Sequence, residues 1–452
     1  MPGKPKVLAS AVTYGALSRI LQIVVRLSSV PLATRLLSPE VYGLWLIVNS
    51  FIGWIAISDF GVPTALQNRL IALLQLEDQD RVKRLVAFAA RLLGGVAILV
   101  SIGGVLIAAL VPVASFFHVQ PGLSTQFRLV LAICIGACAI SIPSRIGSAV
   151  FNAHRRLNVQ PLSEIAVQLA SVSTLLLATL LEWKSIFALV ACSVMGILAG
   201  PVTVTFLAFR RYKFSIRASE VNAEDRKSLL SKGVFFFLTI LGELLIFQSD
   251  AIVIGSVQGA AAVTAYLIPN TLWINFLQIQ NVYLRPLWPI LSEIYVRGDA
   301  ARLRHILLRS LGGTVLGAGA FALGVVFLGD IFIRWWSHGV AALPPVMAWG
   351  FAAYIVTASI DNVLAINLNA FGKAEFRFGY TVLFGIVKVA VAVTVLRIGS
   401  IEWLPLAFAA TMLCITVPFN TFGVFHFIRS LSRANPANDD AAKAGDPEKR
   451  KR

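Results

Sequence analysis

The chain has 452 residues, 57% of them hydrophobic and only 13% charged, with a mean hydropathy of +0.79 and a formal net charge of +17. These values exclude a soluble domain of this size, and long apolar runs of helical rather than alternating character exclude an outer-membrane barrel. A polytopic helical membrane protein remains.

Twelve spans are predicted, near 11–34, 41–62, 87–111, 127–149, 162–181, 186–208, 233–256, 262–291, 311–329, 344–370, 379–396 and 403–428. With the N-terminus inside, the cytoplasmic segments carry 27 Lys and Arg and the outer connections 5, which puts both termini in the cytoplasm. The basic charge is thus a topology signal, aided by anionic headgroups, and not a nucleic-acid footprint. The first segment is too long, carries arginines and lacks a small-residue cleavage site, so it is not read as a cleavable signal.

In the first span, Arg19, Gln22, Arg26 and Ser29 are spaced to form one helical stripe, with Ile20, Ile23, Val24 and Leu27 largely elsewhere. A charge near the bilayer centre costs at least about 2.5–3.5 kcal/mol, so such residues face a bundle interior or a wet cavity. The stripe is expected to line a cationic cavity for an anionic solute. The second span continues through Asp59 and Gly61 to Pro63, then Arg69. The four cysteines, Cys134, Cys138, Cys192 and Cys414, all lie in spans and read as packing residues; no metal site is expected.

Residues 209–232 form a basic linker, either a surface helix or a plain tether. The seventh span carries Glu243 and Asp250, seven apart and on one face. Opposed to the stripe of the first span, they would lock one closed state; a permanent buried ion-pair network is the alternative. The eighth span is interrupted at Arg285-Pro286, so Pro63 and Pro286 mark breaks 223 residues apart. Matching breaks point to a transporter's substrate site or hinge, though membrane helices also tolerate ordinary kinks. Lys388 sits mid-span, in either a cavity or a helix-pair role. The tail from 429, rich in Ala, Asn, Asp and Lys, is expected to be disordered.

The sequence repeats at about 217–222 residues: Arg91-Leu-Leu-Gly-Gly95 returns as Arg309-Ser-Leu-Gly-Gly313, and Asn152-Ala153 as Asn369-Ala370. With six spans per half the repeat is parallel, giving an N-terminal lobe at 1–208 and a C-terminal lobe at 233–428 with a cavity expected between them. Arg19, Arg26, Arg69, Arg91, Arg145, Arg285 and Lys388 are the cations in or at the ends of spans; Asp59, Glu243, Asp250 and Asp361 are the anions. The excess of cations favours an anionic solute. Arginine suits phosphate because its planar fork donates two parallel hydrogen bonds. The four carboxylates are candidates for coupling or gating by titration. Trp335, Trp336 and Trp403 are expected to anchor at the interface. The chain has no G-x-x-x-x-G-K-[ST] sequence and so no P-loop.

Four stretches carry a family resemblance: Leu36-Leu-Ser-Pro-Glu-Val-Tyr-Gly-Leu-Trp45, Ser58-Asp-Phe-Gly-Val62, Ser249-Asp-Ala-Ile-Val-Ile-Gly255 and Leu368-Asn-Ala-Phe-Gly-Lys373. By these the chain resembles the polysaccharide flippases of the MATE-like MOP superfamily, which export O-antigen, capsule or exopolysaccharide units. The resemblance implies an all-α fold of two six-helix lobes in a bacterial inner membrane. It implies alternating access for an undecaprenyl-diphosphate-linked oligosaccharide, with no cofactor and no nucleic acid. Membrane lipids and polysaccharide polymerase or export machinery are the implied partners. The related lipid II flippases carry first-helix arginines that face the central cavity, matched here by Arg19 and Arg26; twelve spans instead of their usual fourteen argue against that branch. On this reading Arg19, Arg26, Arg145, Arg285, Lys388 and Gln22 bind substrate. Driving energy would come from an ion gradient or from removal of product by periplasmic polymerisation. A multidrug cation antiporter of the same fold should show acids outnumbering bases in its cavity. A glycan polymerase or ligase should carry a larger outer loop.

Overall fold

The computed structural model describes residues 4–216, 221–227, 229, 241–242, 244–284, 286–372 and 374–434, and these contain no strand. The first half holds α1 (Lys4–Leu36), α2 (Pro39–Ala56), α3 (Val62–Gln75), α4 (Gln79–Leu110), α5 (Val113–Phe116), α6 (Pro121–Ser144), α7 (Ile146–Ala153), α8 (Val159–Leu180) and α9 (Ile186–Tyr212). There follow α10 (Ser249–Gln258), α11 (Ala260–Leu284), α12 (Leu287–Val296), α13 (Ala300–Trp336), α14 (Pro345–Ala370), α15 (Ala374–Ile398), α16 (Leu404–Cys414) and α17 (Thr416–Ala434). The repeat is visible in this order: α2 and α11 begin 221 residues apart, as do α4 and α13.

Among the described residues, ten helical stretches are long and apolar enough to cross a membrane, and each falls on one of the twelve predicted spans. Of the other two, 41–62 falls on the 18-residue α2, and 233–256 is described at 241–242 and 244–256, where its end forms the ten-residue α10. Ile98, Leu99, Ile102 and Val105 on α4, and Leu316, Leu323 and Phe327 on α13, expose their side chains. Apolar rows of this kind suit lipid, not water.

Prolines and short side chains set the breaks. After α2, the Asp59 carboxylate accepts the Gly61 N–H at 2.9 Å, and Phe60 and Gly61 adopt φ of 49° and 67°. Pro63 then sits in the first turn of α3, where its missing N–H costs nothing. Pro286 stands one position earlier, at the N-cap of α12, where a missing N–H again costs no helical bond. A further break, not predicted, separates α6 from α7 at Arg145, two residues after Pro143. Thr205 bridges it, donating to the Ser144 carbonyl and accepting the Gly147 N–H at 3.0 Å. In α1, Pro31 leaves the Leu27 carbonyl without its i+4 donor, and the Trp336 indole N–H supplies one at 2.9 Å. Trp336 is therefore buried, and of the three tryptophans expected at the interface only Trp335 and Trp403 are exposed.

The chain divides into two compact units, Met1–Leu267 with Trp336–Val340, and Ile268–Trp335 with Ala341–Arg452. In the first, α8 packs on α1 and α9, and α4 on α6. Gly43 lets α2 approach the start of α11, because a Cβ there would overlap the Ala260 carbonyl; Thr264 then donates to the Pro39 carbonyl at 2.6 Å. α10 belongs to this unit through its packing on α2. In the second unit α14 packs against α15, α16 and α17.

Part of the linker is docked. Leu229 is buried in a core with Leu70, Leu73, Val82 and Leu85, and the almost fully buried Asp225 is gripped by Arg69 and Arg81. Asp225→Ala strands two partly buried guanidinium groups, so it is expected to destabilise the protein by about 2–3 kcal/mol. It should also open 209–232 to limited proteolysis. Unchanged melting and cleavage would show that the clamp does not hold the linker.

Candidate functional site

A cavity of about 430 Å³ lies within the first unit. α3 contributes Pro63, Thr64 and Gln67, and α7 contributes Ser148 and Asn152. α8 contributes Gln160, Glu164 and Gln168, spaced four apart and therefore on one helical face. α9 closes the cavity with Gly196, Gly200, Pro201 and Val204; a Cβ on Gly200 would come within 2.9 Å of the Ser163 hydroxyl, so glycine sets the spacing of α8 and α9.

Two polar groupings organise this space. Arg145, at the α6–α7 break, donates to Asp59, at the α2–α3 break, at 2.9 Å. Asp59 is buried, whereas the Arg145 side chain is 38% exposed and borders the cavity. Each helix break thus places a charged residue where no regular helix would hold it. Opposite, Glu164 accepts the Ser18 hydroxyl at 2.8 Å and the Gln160 amide at 3.0 Å. Asn152 donates to Gln67 at 3.2 Å.

Ser18 links the cavity to α1, where Arg19, Gln22 and Arg26 all expose their side chains. Leu17, Ile20 and Val24 are exposed too, on a different side of the helix. One exposed face suits lipid; the other carries two guanidinium groups and an amide, which lipid does not accommodate. The predicted stripe is one face, and it does not line the cavity described above.

The second unit carries a neutral counterpart of the Asp59–Arg145 pair. Asn281 stands 222 residues after Asp59 and Asn362 stands 217 after Arg145, both within the repeat period, and Asn362 donates to Asn281 at 3.2 Å. Asn362 also donates to Gln280, whose amide reaches Thr314 and the Ser359 carbonyl. The same place is held by charge in one half and by amides in the other.

The remaining predicted residues are dispersed. Asp361 accepts the Asn420 amide at 2.7 Å, and Asn420 in turn accepts the Tyr380 hydroxyl. Lys388 is fully buried in the second unit, its Nζ 4.4 Å from the centre of the Phe408 ring, which is packing between helices and not the lining of the described cavity. Asp250 is buried in the first turn of α10. Glu243 and Arg285 lie outside the described residues. Among the described residues no group of three or more His, Cys, Asp or Glu could hold a metal.

The sequence profile described as "Polysaccharide biosynthesis protein" matches residues 8–295, well over half of the chain. The chain belongs to the polysaccharide biosynthesis protein family. This family member is 23% identical over 331 residues to a provisionally named O-antigen transporter of Salmonella typhi, covering 72% of this chain and 74% of that protein. Its fold matches an inward-facing multidrug resistance MATE family transporter of the MOP superfamily with a TM-score of 0.71 at 11% identity, over 94% of this chain and 99% of that one. It matches the lipid II flippase MurJ, in an inward closed conformation, with a TM-score of 0.69 at 14% identity, over 93% and 89%. The MATE-like, all-α multi-pass fold expected from the sequence is the fold of this family member.

Of the cavity's residues, Asp59 and Arg145 stand out in the sequence as charges and Pro63 as a helix break, whereas the polar Glu164, Gln160, Gln168, Gln67 and Asn152 do not. Glu164 lies inside the predicted fifth span and belonged among the intramembrane anions. Its signal was the four-residue spacing of Gln160, Glu164 and Gln168, a polar face on an apolar helix.

Proposed function

We propose that the protein is a flippase, a transporter and not an enzyme, moving a lipid-diphosphate-linked oligosaccharide from the cytoplasmic to the periplasmic leaflet of a bacterial inner membrane by alternating access. The observation that carries this is the exposed Arg19–Gln22–Arg26 face on a membrane-length helix of a polysaccharide biosynthesis protein. The two arginines offer planar, permanently charged donors to the diphosphate, and Gln22 lies between them. The lipid, with undecaprenyl as the expected carrier, stays in the bilayer while the head group moves through a polar path. Arg285 extends the cationic path on this proposal and Arg145 meets the head group beyond the diphosphate, Asp59, Glu243, Asp250 and Asp361 are its candidate gates, and Pro63 and Pro286 its hinges. Both termini face the cytoplasm, and the product passes to polysaccharide polymerase or export machinery.

In proteoliposomes, a diphosphate-linked oligosaccharide on a polyprenyl carrier is expected to become accessible to an enzyme added on the opposite side only when the protein is present. Absence of flipping together with energised uptake of a cationic dye would replace the proposal with a cation antiporter. One observation favours that second reading: in the first-unit cavity Asp59 and Glu164 outnumber Arg145. Pairing of Asp59 with Arg145 leaves a single carboxylate to set against the two arginines of α1.

A further inference from the structure

We infer that the first-unit cavity is a sugar subsite, which takes a neutral, hydroxyl-rich unit of the glycan and does not take the diphosphate; this rests on the flippase proposal. Charge separates the two parts of the substrate. Among the described residues lining the cavity, Arg145 alone carries a guanidinium, already joined to Asp59, and Glu164 adds a second carboxylate. A diphosphate placed here would meet like charge, whereas the exposed arginines of α1 offer it the opposite sign.

The cavity's hydrogen-bonding inventory fits hydroxyl groups instead. A sugar hydroxyl both donates and accepts, and adjacent hydroxyls match the forked geometry of planar amides and carboxylates. Gln67, Asn152, Gln160 and Gln168 present such amides and Glu164 such a carboxylate, while Val167, Pro201 and Val204 give an apolar patch for the C–H face of a ring. The volume of about 430 Å³ lies within the range of about 300–1,000 Å³ typical of small-molecule pockets.

Continuity with the arginine face comes from α1. The Ser18 hydroxyl, bonded to the cavity's Glu164 at 2.8 Å, precedes Arg19 by one residue. A single lipid-linked molecule can therefore set its diphosphate against α1 and a sugar against α8. The two subsites share a helix and differ in charge.

The test compares two probes by native mass spectrometry of the full-length protein. One is the polyprenyl diphosphate glycan fraction extracted from the cells that supply the gene, and the other is the same polyprenyl diphosphate without sugar. Wild type is expected to bind the glycosylated lipid at least about tenfold more tightly. Gln160→Ala/Gln168→Ala should remove that advantage and leave the bare lipid's affinity unchanged. Val167→Trp, which fills the cavity without deleting a polar group, should do the same, so that a folding defect in one variant does not decide the matter. Equal affinity of wild type for both lipids, or loss of both lipids alike in the folded cavity variants, would overturn the sugar subsite. Failure of wild type to bind even the bare diphosphate lipid would overturn the flippase proposal, and the subsite with it.

Discussion

The Arg19→Ala/Arg26→Ala variant is expected to lose binding of polyprenyl diphosphate by about a hundredfold or more while remaining folded. Hydrogen bonds to charged groups contribute about 1.5–3 kcal/mol each, so removing one arginine costs about tenfold or more and removing both compounds the loss. The fold should tolerate the change, since both side chains are exposed on α1. Arg19→Lys/Arg26→Lys separates charge from geometry: it keeps two positive charges and loses the planar fork, and an intermediate loss of about tenfold is expected. Binding should weaken as salt rises, because ions screen the attraction between guanidinium and diphosphate. Native mass spectrometry of wild type and both variants measures this. Unchanged binding in the alanine variant would make the stripe a structural charge network and remove the main support for the flippase proposal.

The second large effect is expected at the Asp59–Arg145 pair. Arg145→Ala leaves Asp59 buried without its cation, and a destabilisation of about 2–3 kcal/mol is expected. That is less than the 3–5 kcal/mol of a fully enclosed pair, because the Arg145 side chain is 38% exposed. The other half of the chain supplies the control. Asp59→Asn/Arg145→Asn installs the amide pair that Asn281 and Asn362 form, and should return stability to within about 1–2 kcal/mol of wild type. Transport should nevertheless be lost if the pair must open during the cycle, because an amide pair carries no charge for a ligand or a proton to act on. Thermal unfolding in detergent and flipping in proteoliposomes give the two readouts. A double variant that transports normally would show the ion pair to be structural, like its neutral counterpart.

How much of this the sequence determined depends on whether each signal was local. Hydropathy is local, so ten of the twelve predicted spans reappear as membrane-length helices. Helix breaks are nearly as local, because proline removes a donor and a short carboxylate can hold a turn; Pro63 and Pro286 open new helices where breaks were expected. The α1 stripe was legible because its spacing is a property of one helix, and Arg19, Gln22 and Arg26 do share an exposed face.

Partners were not legible. Nothing in the order of residues says that Trp336 reaches back to the carbonyl Pro31 leaves free, that Asp225 of the linker lies between Arg69 and Arg81, or that Ser18 meets Glu164 across 146 positions. The span of Lys388 suited a cavity role and a helix-pair role alike, and only packing placed it against Phe408. The repeat period aligned the two halves, but which residues meet within each half depends on how helices cross, and that is fixed by close packing among α3, α7, α8 and α9, not by any single segment. The sequence by itself therefore determined ten of the spans, the breaks at Pro63 and Pro286, and the cationic face. The tertiary structure alone decided the cavity, because its walls come from four helices whose polar residues acquire a common purpose only when packed together.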